Sequence, residues 1–440
     1  MKKQNSPIKL VNNDHSNALR CYFTLAENKI LTNGAKNSVI LDLKERKLFK
    51  INSSAKSIIE LGQQNYKVED AIKEIRPKLK RSEVISFIRD LLDLRIITLS
   101  RERPPQPKEK KLVPKLDMIW IEITPQCNLR CVHCYAEAEY QKKATKNDLS
   151  NEEIKRIIDD AASLGCHEIQ FTGGEATLRK DIEELIEYAK EKEFNIEIFT
   201  NGTLLTEQLI RFLKENNVRV AMSIYSYNAK THDAITQVEG SFEKTLNSLK
   251  LLLAYRVPLR CSVVVMKQNE NEIEQTVYFL SQLGVLSRPP DTIRPSGRGK
   301  GMENWPQQFG RKTLKTKPDF IISKENFEKN RDWNSCWVGK AAVTAEGNVI
   351  PCVFARKQIV GNIKSQSFAK LITSETMQRL WSLNKDKVEV CRDCEFRYVC
   401  EDCRPWATEY ADNLHAKPPR CTYNPYTGEW EKAQNLFKKD

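Results

Sequence analysis

The sequence has 440 residues, of which 40% are hydrophobic and 29% are charged, and this length allows one large domain with smaller ones attached. The formal net charge is +13, and the first 110 residues hold 23 Lys and Arg against 13 Asp and Glu, so most of the excess lies there. No run of about 18 apolar residues and no apolar signal segment is present, which argues against a membrane protein or a secreted one and predicts a cytoplasmic protein.

Residues 1–100 are predicted to form a small α+β domain. Short strands with turn signals cover residues 20–50 and fold back at Lys44-Glu45-Arg46. Three segments with apolar residues at helical spacing follow, at 58–61, 68–75 and 84–92. A small sheet followed by three helices is typical of a winged-helix-like unit. Its basic charge suits nucleic acid or an acidic peptide, and a merely solvated basic face would give the same count.

Residues 101–115 have the composition of an interdomain linker, with four prolines and dense charge. Beyond them, over residues 116–320, apolar strands such as "DMIWIEIT", "EIQFTGG" and "IEIFTNG" alternate with amphipathic helices. This alternation predicts an α/β fold with a parallel sheet, and about six units fit, which makes a partial (β/α)6 barrel. Because chemistry in such barrels lies at the carboxyl ends of the strands, the polar residues that follow them are expected to meet at one mouth.

Three cysteines follow the first strand of the predicted barrel, in the segment "CNLRCVHC": Cys127, Cys131 and Cys134. Thirteen cysteines in a reducing compartment are more typical of metal or cluster ligation than of disulfides. Three thiolates can bind three irons of a [4Fe-4S] cluster and leave one iron open. An open metal position is typical of a catalytic site. A structural zinc site completed by His133 or by a distant residue is the alternative.

Residues 321–440 are predicted to form a cysteine-rich module with little periodicity. The segment "AEGN" indicates a hairpin turn that brings Cys352 back beside Cys336. Pairs at C-x2-C spacing suit zinc as well as iron-sulfur clusters. Three cysteines lie outside all of these groups and are expected to be small buried apolar residues: Cys21, Cys166 and Cys261.

The pattern C-x3-C-x2-C after a first strand, followed by "TGGE" after the second, resembles the radical S-adenosylmethionine (SAM) superfamily over about residues 117–300. The resemblance implies that Cys127, Cys131 and Cys134 bind a [4Fe-4S] cluster whose open iron chelates SAM. SAM is then cleaved to methionine and a 5′-deoxyadenosyl radical, which abstracts hydrogen from the substrate.

The same resemblance assigns SAM contacts to residues after the next strands. It implies that Gly173 and Gly174 allow a close backbone approach to SAM, and that Glu175 binds its ammonium group. Asn201 and Ser223 match positions on the adenosine side, although ordinary turn and cap roles fit both residues nearly as well. The segment "SIYSYN" departs from the commoner family motif "SLDG" at its third residue, Tyr225.

The C-terminal cysteines resemble the SPASM extension of radical SAM enzymes, which carries auxiliary iron-sulfur clusters. The resemblance implies two auxiliary clusters and therefore three [4Fe-4S] clusters in the protein. The outer set is Cys391, Cys394, Cys400 and Cys421, and the inner set is Cys336, Cys352 and Cys403. The inner set lacks a fourth cysteine, and the last local gap is x2 where x3 is usual. A substrate thiolate docked on the free inner iron is our hypothesis, and water or another protein ligand is the alternative.

The N-terminal sequence resembles the recognition element of enzymes that modify ribosomally made peptides, which is similar to the small chaperone of pyrroloquinoline-quinone biosynthesis. In that family the leader segment of a precursor peptide adds as a strand to the sheet edge. The rival from another class is a zinc-containing winged-helix DNA-binding protein. However, the third predicted helix carries Glu83, Asp90 and Asp93, and these are not residues that read base edges.

Together these resemblances imply a radical SAM enzyme that binds a precursor peptide by its leader and forms thioether crosslinks from cysteine sulfur to carbon. The incomplete inner set favours thioethers; epimerisation and carbon-carbon crosslinking stay open, and sulfatase maturation is less favoured. The expected partners are the precursor and an electron donor such as flavodoxin or ferredoxin, without nucleic acid or membrane. Arg294 and Arg298 are expected to be solvated loop residues rather than a clamp for a carboxylate of SAM or peptide.

Overall fold

The computed structural model describes residues 18–75, 79–105, 113–140, 148–285, 287–307, 322–401 and 403–430. Part of the predicted linker, residues 106–112, lies outside these ranges. Within them, no helix is both long enough and apolar enough to cross a bilayer.

The N-terminal part combines a three-stranded antiparallel sheet, a separate antiparallel strand pair and three helices. The predicted fold-back is present, and Arg46 adopts a left-handed backbone conformation there. The sequence prediction missed the strand pair, because its two strands are separated by the whole of the intervening sheet and helices. The elements are β1 (Tyr22–Leu25), β2 (Lys29–Asn33), β3 (Ser38–Asp42), β4 (Lys47–Ile51), α1 (Ser53–Gln63), α2 (Val68–Glu74), α3 (Arg81–Asp93) and β5 (Ile97–Ser100).

Strand β3 is buried along its whole length, between β2 and β4. On one face Ile40 packs into the core formed with the N-terminal helices. On the other face Val39 and Leu41 pack against Phe396 and Tyr423 of the cysteine-rich module. Since successive side chains of a strand point to opposite faces, the N-terminal sheet is enclosed between its own helices and the C-terminal module.

The central part is the α/β barrel that the sequence predicts. Five parallel strands lie side by side in the order β12-β11-β10-β9-β6, and a short sixth strand, β14, pairs with β13. The elements are β6 (Met118–Glu122), β7 (Gln126–Cys127), β8 (Glu139–Tyr140), α4 (Asn151–Ser163), β9 (Glu168–Thr172), α5 (Ile182–Glu191), β10 (Asn195–Phe199), α6 (Glu207–Glu215), β11 (Arg219–Ser223), α7 (Ala229–Thr236), α8 (Ser241–Ala254), β12 (Leu259–Ser262), β13 (Val264–Val265), α9 (Ile273–Gln282) and β14 (Asp291–Thr292).

Helix α4 illustrates why these elements form. Ser150 caps its amino end by accepting the amide hydrogen of Glu153, while the Glu153 carboxylate accepts the amide hydrogen of Ser150. Ile154, Ile157 and Ile158 then fall on one face and are buried against the sheet. The predicted apolar period therefore gives the observed helix.

The main sheet continues into the C-terminal module. Strand β15 pairs in parallel with β6, and β16 and β17 follow antiparallel, so the sheet crosses the predicted domain boundary at residue 320. The predicted hairpin at "AEGN" is present, with Gly347 in a left-handed conformation. The elements are α10 (Lys324–Asp332), β15 (Lys340–Val343), β16 (Asn348–Ile350), β17 (Gly361–Asn362), α11 (Phe368–Ile372), α12 (Glu375–Trp381), α13 (Arg404–Ala411), β18 (Tyr423–Asn424) and β19 (Glu429–Trp430).

A buried polar network fills the barrel interior. Arg260 donates to both carboxylate oxygens of Glu197, at 2.8 and 2.7 Å, and Gln170 donates to the same carboxylate. These side chains alternate with outward-facing apolar residues such as Ile198 and Ile169, which pack under the helices. The network pairs the charges of Glu197 and Arg260 with each other, and the carboxyl ends of the strands are left as the place for a site.

Candidate active site

The cysteine loop, residues 127–134, lies directly after β6 at the mouth of the barrel. Strands β7 and β8 pair with each other, so the chain returns beside Cys127 after the last of the three cysteines. Cys127 packs with Leu129 and Ala138 in a small core, and Cys131 and Cys134 lie against it. The structure therefore brings the three predicted ligands together.

The cysteine loop holds its thiols in an environment that disfavours thiolates without a cation. Burial raises the pKa of Cys127 to about 11, and it also raises the pKa of Cys131. The amide hydrogens of Leu129 and Ala138 point at the sulfurs of Cys127 and Cys134, each at 3.4 Å. Because metal ligation requires thiolate, a cationic iron centre with these amide donors would offset the cost of ionising the thiols, and the donor set fits such a group.

Arg298 anchors the cysteine loop from the end of the sixth strand. Its Nε donates to the main-chain carbonyl of Cys131 at 2.9 Å, and its Nη1 donates to that of Ala138 at 3.1 Å. Its own amide donates to the carbonyl of Cys134 at 3.0 Å. The expectation of a solvated Arg298 is therefore wrong: the backbone carbonyls of the loop need donors, and Arg298 supplies them.

Arg294, four residues earlier, is also bound to protein, and its expected solvation is likewise corrected. It forms an ion pair with Asp291 at 2.6 Å, and Arg420 donates to the same carboxylate at 3.1 Å. The guanidinium group of Arg294 interacts electrostatically with Cys403 and Cys336. Arg294 therefore lies beside the inner set.

The two glycines after β9 pack against the start of the cysteine loop. Gly173 has a φ of 135°, and a Cβ on it would stand 2.3 Å from the carbonyl oxygen of Thr124. A Cβ on Gly174 would stand 2.0 Å from the carbonyl oxygen of Gln126. The loop's own backbone therefore already requires both glycines, and their approach to SAM stays a prediction.

Glu175 connects the ends of β9 and β10. It is 1% exposed, and its Oε1 accepts hydrogen bonds from the hydroxyl groups of Thr177 and Thr200, at 2.5 and 2.7 Å. Its Oε2 accepts the amide hydrogen of Asn201 at 2.7 Å. Burial raises the pKa of this carboxyl group. Binding of the ammonium group of SAM by Glu175 stays a prediction.

Asn201 lies over the cysteine loop. Its Nδ2 donates to Oδ1 of Asn128 at 2.9 Å and stands 4.0 Å from the sulfur of Cys127. Asn128 in turn donates to Thr203 at 2.7 Å. The third strand end therefore contacts the loop through side-chain amides.

Tyr225 is a site residue that the sequence reasoning did not identify. Its ring lies between those of His133 and His232, with ring centroids at 4.8 and 5.2 Å. Its hydroxyl group bonds to that of Ser223 and interacts electrostatically with the three cysteines of the loop, and burial raises its pKa. Its position in the sequence could have identified it. Tyr225 lies two residues after the predicted site residue Ser223, in the segment that departs from the usual family sequence.

The C-terminal cysteines fall into two groups. In the inner set, the thiol of Cys352 interacts with those of Cys336 and Cys403, and burial raises its pKa. In the outer set, Cys394 lies near two other members, and the fourth member lies near one of those two. The outer contacts are Cys394 with Cys391, Cys394 with Cys400, and Cys421 with Cys400. The resemblance gives the same division, and ligation by each set stays a prediction.

The remaining three cysteines are buried, as expected: Cys21, Cys166 and Cys261. Among the described residues, no three or more His, Cys, Asp or Glu side chains close around a single metal ion. In a [4Fe-4S] cluster each thiolate binds a different iron, so its ligands do not converge on one point as zinc ligands do.

Two family models match the chain. Residues 121–280 match the radical SAM superfamily, and residues 336–395 match the iron-sulfur cluster-binding SPASM domain. The AdoMet-dependent heme synthase of Methanosarcina barkeri is 27% identical over 336 residues, which are 69% of this chain and 95% of the relative. The mycofactocin maturase MftC of Mycolicibacterium smegmatis is 32% identical over 280 residues, which are 58% of this chain and 69% of the relative.

Among solved structures, that of Streptococcus suis SuiB bound to its precursor peptide SuiA has a similar fold. The TM-score is 0.56 at 15% identity, and the match covers 90% of this chain and 98% of SuiB. The likeness therefore extends over nearly the whole of both chains.

Proposed function

We propose a function for this chain, which belongs to the radical SAM superfamily and carries a SPASM domain: it modifies a ribosomally made peptide by forming thioether crosslinks from cysteine sulfur to carbon. The observation that carries this proposal is the pair of three-cysteine groups, one in the loop at the barrel mouth and one beside Arg294 on the sixth strand end. The maturase MftC and the peptide complex of SuiB support a peptide substrate. Membership of an enzyme superfamily disfavours the DNA-binding alternative.

The cysteine loop would hold the SAM-binding cluster, through Cys127, Cys131 and Cys134. Such a cluster, when bound, supplies the electron that cleaves SAM to methionine and a 5′-deoxyadenosyl radical. Flavodoxin or ferredoxin is the proposed source of that electron. The chain's own part is to keep the loop rigid through Arg298 and Glu175, as its hydrogen bonds indicate.

The inner set supports thioether formation over the other peptide chemistries. Cys336, Cys352 and Cys403 supply three thiolates where four are usual for a cluster of this kind. We propose that a cysteine thiolate of the substrate occupies the remaining position, which would bring the reacting sulfur to the mouth. The readout is spectroscopic: adding a cysteine-containing substrate should change the Mössbauer or EPR signature of the inner cluster, and a substrate with serine in place of cysteine should not.

The outer edge of β4 is the proposed binding site for the leader. Among the described residues, strand β4 is at the edge of its sheet, since the strand order is β2-β3-β4. Lys47 and Lys50 on this strand are exposed, and Lys44 and Arg46 precede it in the turn. A leader added as a fourth strand would gain backbone hydrogen bonds, and the four cations favour an acidic one.

A porphyrin substrate is the second candidate, because the heme synthase of M. barkeri is 27% identical over 95% of its length. Heme synthesis, the activity for which that relative is named, is not a peptide modification. The exposed cationic strand edge in the N-terminal domain favours the peptide. Incubation with a porphyrin in place of the peptide, under the same conditions, separates the two candidates, since only one substrate should be consumed.

The test is a mass measurement on full-length, anaerobically reconstituted enzyme with SAM, reductant and a precursor peptide. Each thioether lowers the peptide mass by two hydrogens and consumes one free thiol, as thiol labelling reports. Epimerisation leaves the mass unchanged, and carbon-carbon crosslinking lowers the mass but leaves every thiol free. A product with unchanged thiol count would contradict the thioether assignment.

A further inference from the structure

We infer that Glu122 and Arg356 hold the core segment of the peptide at the barrel mouth, by presenting one hydrogen-bond acceptor and one donor to a single peptide group. This inference rests on the proposed function and names the side chains that would bind the part of the substrate that reacts. It concerns neither the SAM contacts nor the leader edge.

Glu122 offers a buried acceptor at the carboxyl end of β6. Its neighbour Ile121 packs outward under the helices, so Glu122 points into the barrel. The residue is 3% exposed, and its Oε2 accepts from Nη1 of Arg356 at 3.0 Å, with the amide of Ala345 also facing the carboxylate. Its Oε1 is buried and has no hydrogen-bond partner among the described residues. A buried carboxylate oxygen without a donor is unfavourable, so a ligand that donates to it would gain affinity.

Arg356 offers the neighbouring donor. It comes from the C-terminal module, four residues after Cys352, and its side chain is 21% exposed. Its Nε approaches the carbonyl of Tyr135 at 3.5 Å, and its guanidinium group lies 5.7 Å from the centre of that ring. No described residue accepts a hydrogen bond from its Nη2. The guanidinium is therefore fixed on one side and accessible on the other.

The pair lies between the cysteine loop and the inner set. Tyr135 directly follows Cys134, and its ring packs edge-on against Phe354 at 5.1 Å. Arg294 stands over the same Phe354 ring at 5.8 Å, and it is the arginine beside the inner set. A row of two guanidinium groups and two aromatic rings therefore runs from one cysteine group to the other.

The chemistry of this row favours an extended peptide over an anion. Each guanidinium group already has a carboxylate partner: Arg356 pairs with Glu122, and Arg294 pairs with Asp291, which it shares with Arg420. What remains is an acceptor next to a donor, and a peptide unit with its N–H and C=O complements that pair. A backbone contact also suits an enzyme that must place one carbon of a flexible chain in a fixed position.

The test uses full-length reconstituted enzyme and the variant Glu122→Gln, in which an amide nitrogen replaces one carboxylate oxygen. We expect the KM for the precursor to rise about tenfold, because the variant loses roughly one hydrogen bond from the peptide to a charged acceptor. Iron and sulfide content should stay within about twofold of wild type, since Glu122 forms no hydrogen bond with the three cysteines of the loop. Glu187→Gln is the matched control, because Glu187 is exposed on helix α5 and does not interact with Glu122 or Arg356.

A second arm identifies the contact directly. In a series of precursors, each peptide is N-methylated at one amide of the core segment. At one position, methylation should weaken binding of the precursor to wild-type enzyme. At that same position, methylation should not weaken binding to Glu122→Gln any further, because the variant has already lost the contact. Arg356→Lys should raise the KM as well, because the single nitrogen of lysine cannot reproduce the planar fork of donors of a guanidinium group. An unchanged KM in Glu122→Gln, or a loss of iron and of all SAM cleavage, would overturn the inference. If wild-type enzyme modifies no peptide, the proposed function fails and this inference fails with it.

Discussion

Arg298 donates from its side chain to the main-chain carbonyl of Cys131 at 2.9 Å, although the two residues are 167 positions apart in the chain. This hydrogen bond connects the end of the last barrel strand to the loop after the first one. The cysteine loop is therefore held by the segment that follows the last barrel strand as well as by its own turns. Retention of a cluster in that loop should depend on a residue that is no ligand.

Arg298→Met should lower cluster retention in the cysteine loop. Methionine cannot donate to the main-chain carbonyl groups of Cys131 and Ala138. These carbonyl groups are partly buried, so the loss of their donors is unfavourable. We expect anaerobically purified protein to contain about four fewer iron atoms per chain, the content of one [4Fe-4S] cluster. Arg288→Met is the control, because Arg288 is exposed. Full retention of the SAM-dependent EPR signal by Arg298→Met would contradict the anchoring role.

Replacing Cys127, Cys131 and Cys134 together by Ala should abolish SAM cleavage. The three side chains are the proposed ligands of the SAM-binding cluster, and leader binding at β4 uses none of them. We expect no 5′-deoxyadenosine above background by chromatography, with an unchanged leader dissociation constant. Cys166→Ala, at a buried cysteine outside every group, should cleave SAM at the wild-type rate. Residual SAM cleavage in the triple variant would refute the assignment.

Glu175→Gln should destabilise the mouth of the barrel and weaken SAM binding. The carboxylate accepts hydrogen bonds from Thr177, Thr200 and Asn201, and an amide nitrogen in place of one oxygen would face a donor. A cost of about 1–3 kcal/mol in the free energy of unfolding is expected for such a buried mismatch. Thermal unfolding and SAM titration measure the two effects. The exposed Glu187→Gln should change neither, and a wild-type melting temperature in Glu175→Gln would contradict the prediction.

His232 should make the stability of the barrel depend on pH. Burial lowers its pKa to about 4, from an ordinary value of 6.5, and its Nδ1 accepts the amide hydrogen of Tyr225. The unfolded chain therefore binds a proton that the folded chain excludes. The contribution of His232 is complete above pH 6.5 and is lost as the pH falls from there towards 4.

Between pH 7 and pH 5 this loss should amount to about 2 kcal/mol in the free energy of unfolding. His232→Asn keeps an acceptor for Tyr225 and does not titrate, so its stability should fall less over the same range. His133 has the same lowered pKa and remains in both proteins, which isolates the effect of His232. Equal pH slopes in denaturation experiments on the two proteins would show that His232 contributes nothing.

The barrel and the cysteine groups were predictable because local patterns specify them. The apolar period of α4 and the spacing of Cys127, Cys131 and Cys134 each lie within a short window. Arg298 was not predictable in the same way, because an arginine in a Gly-rich loop is usually solvated and its partners lie elsewhere in the chain. Contacts made by a single long side chain leave no periodic signal.

The burial of β3 on both faces did leave a signal in the sequence. Its apolar run "SVIL" lacks the alternation of polar and apolar residues that an antiparallel strand with one solvent-exposed face shows. Such a run is typical of a strand that is covered on both sides. What covers the second face could not be read from the run itself. Phe396 and Tyr423, which cover it, lie more than 350 residues further along the chain.

This shared core has a consequence for engineering. Ala35 donates its amide hydrogen to the carbonyl of Asp393 at 2.7 Å, and a Cβ on Gly34 would stand 2.7 Å from the amide nitrogen of Glu395, next to Cys394. A chimera that exchanges only the first hundred residues for those of another enzyme would set a foreign surface against the loop that carries the outer cysteines. Exchange of substrate specificity between such enzymes would therefore require transplanting both partners of the contact, and the unit of modularity in this chain is larger than its N-terminal domain.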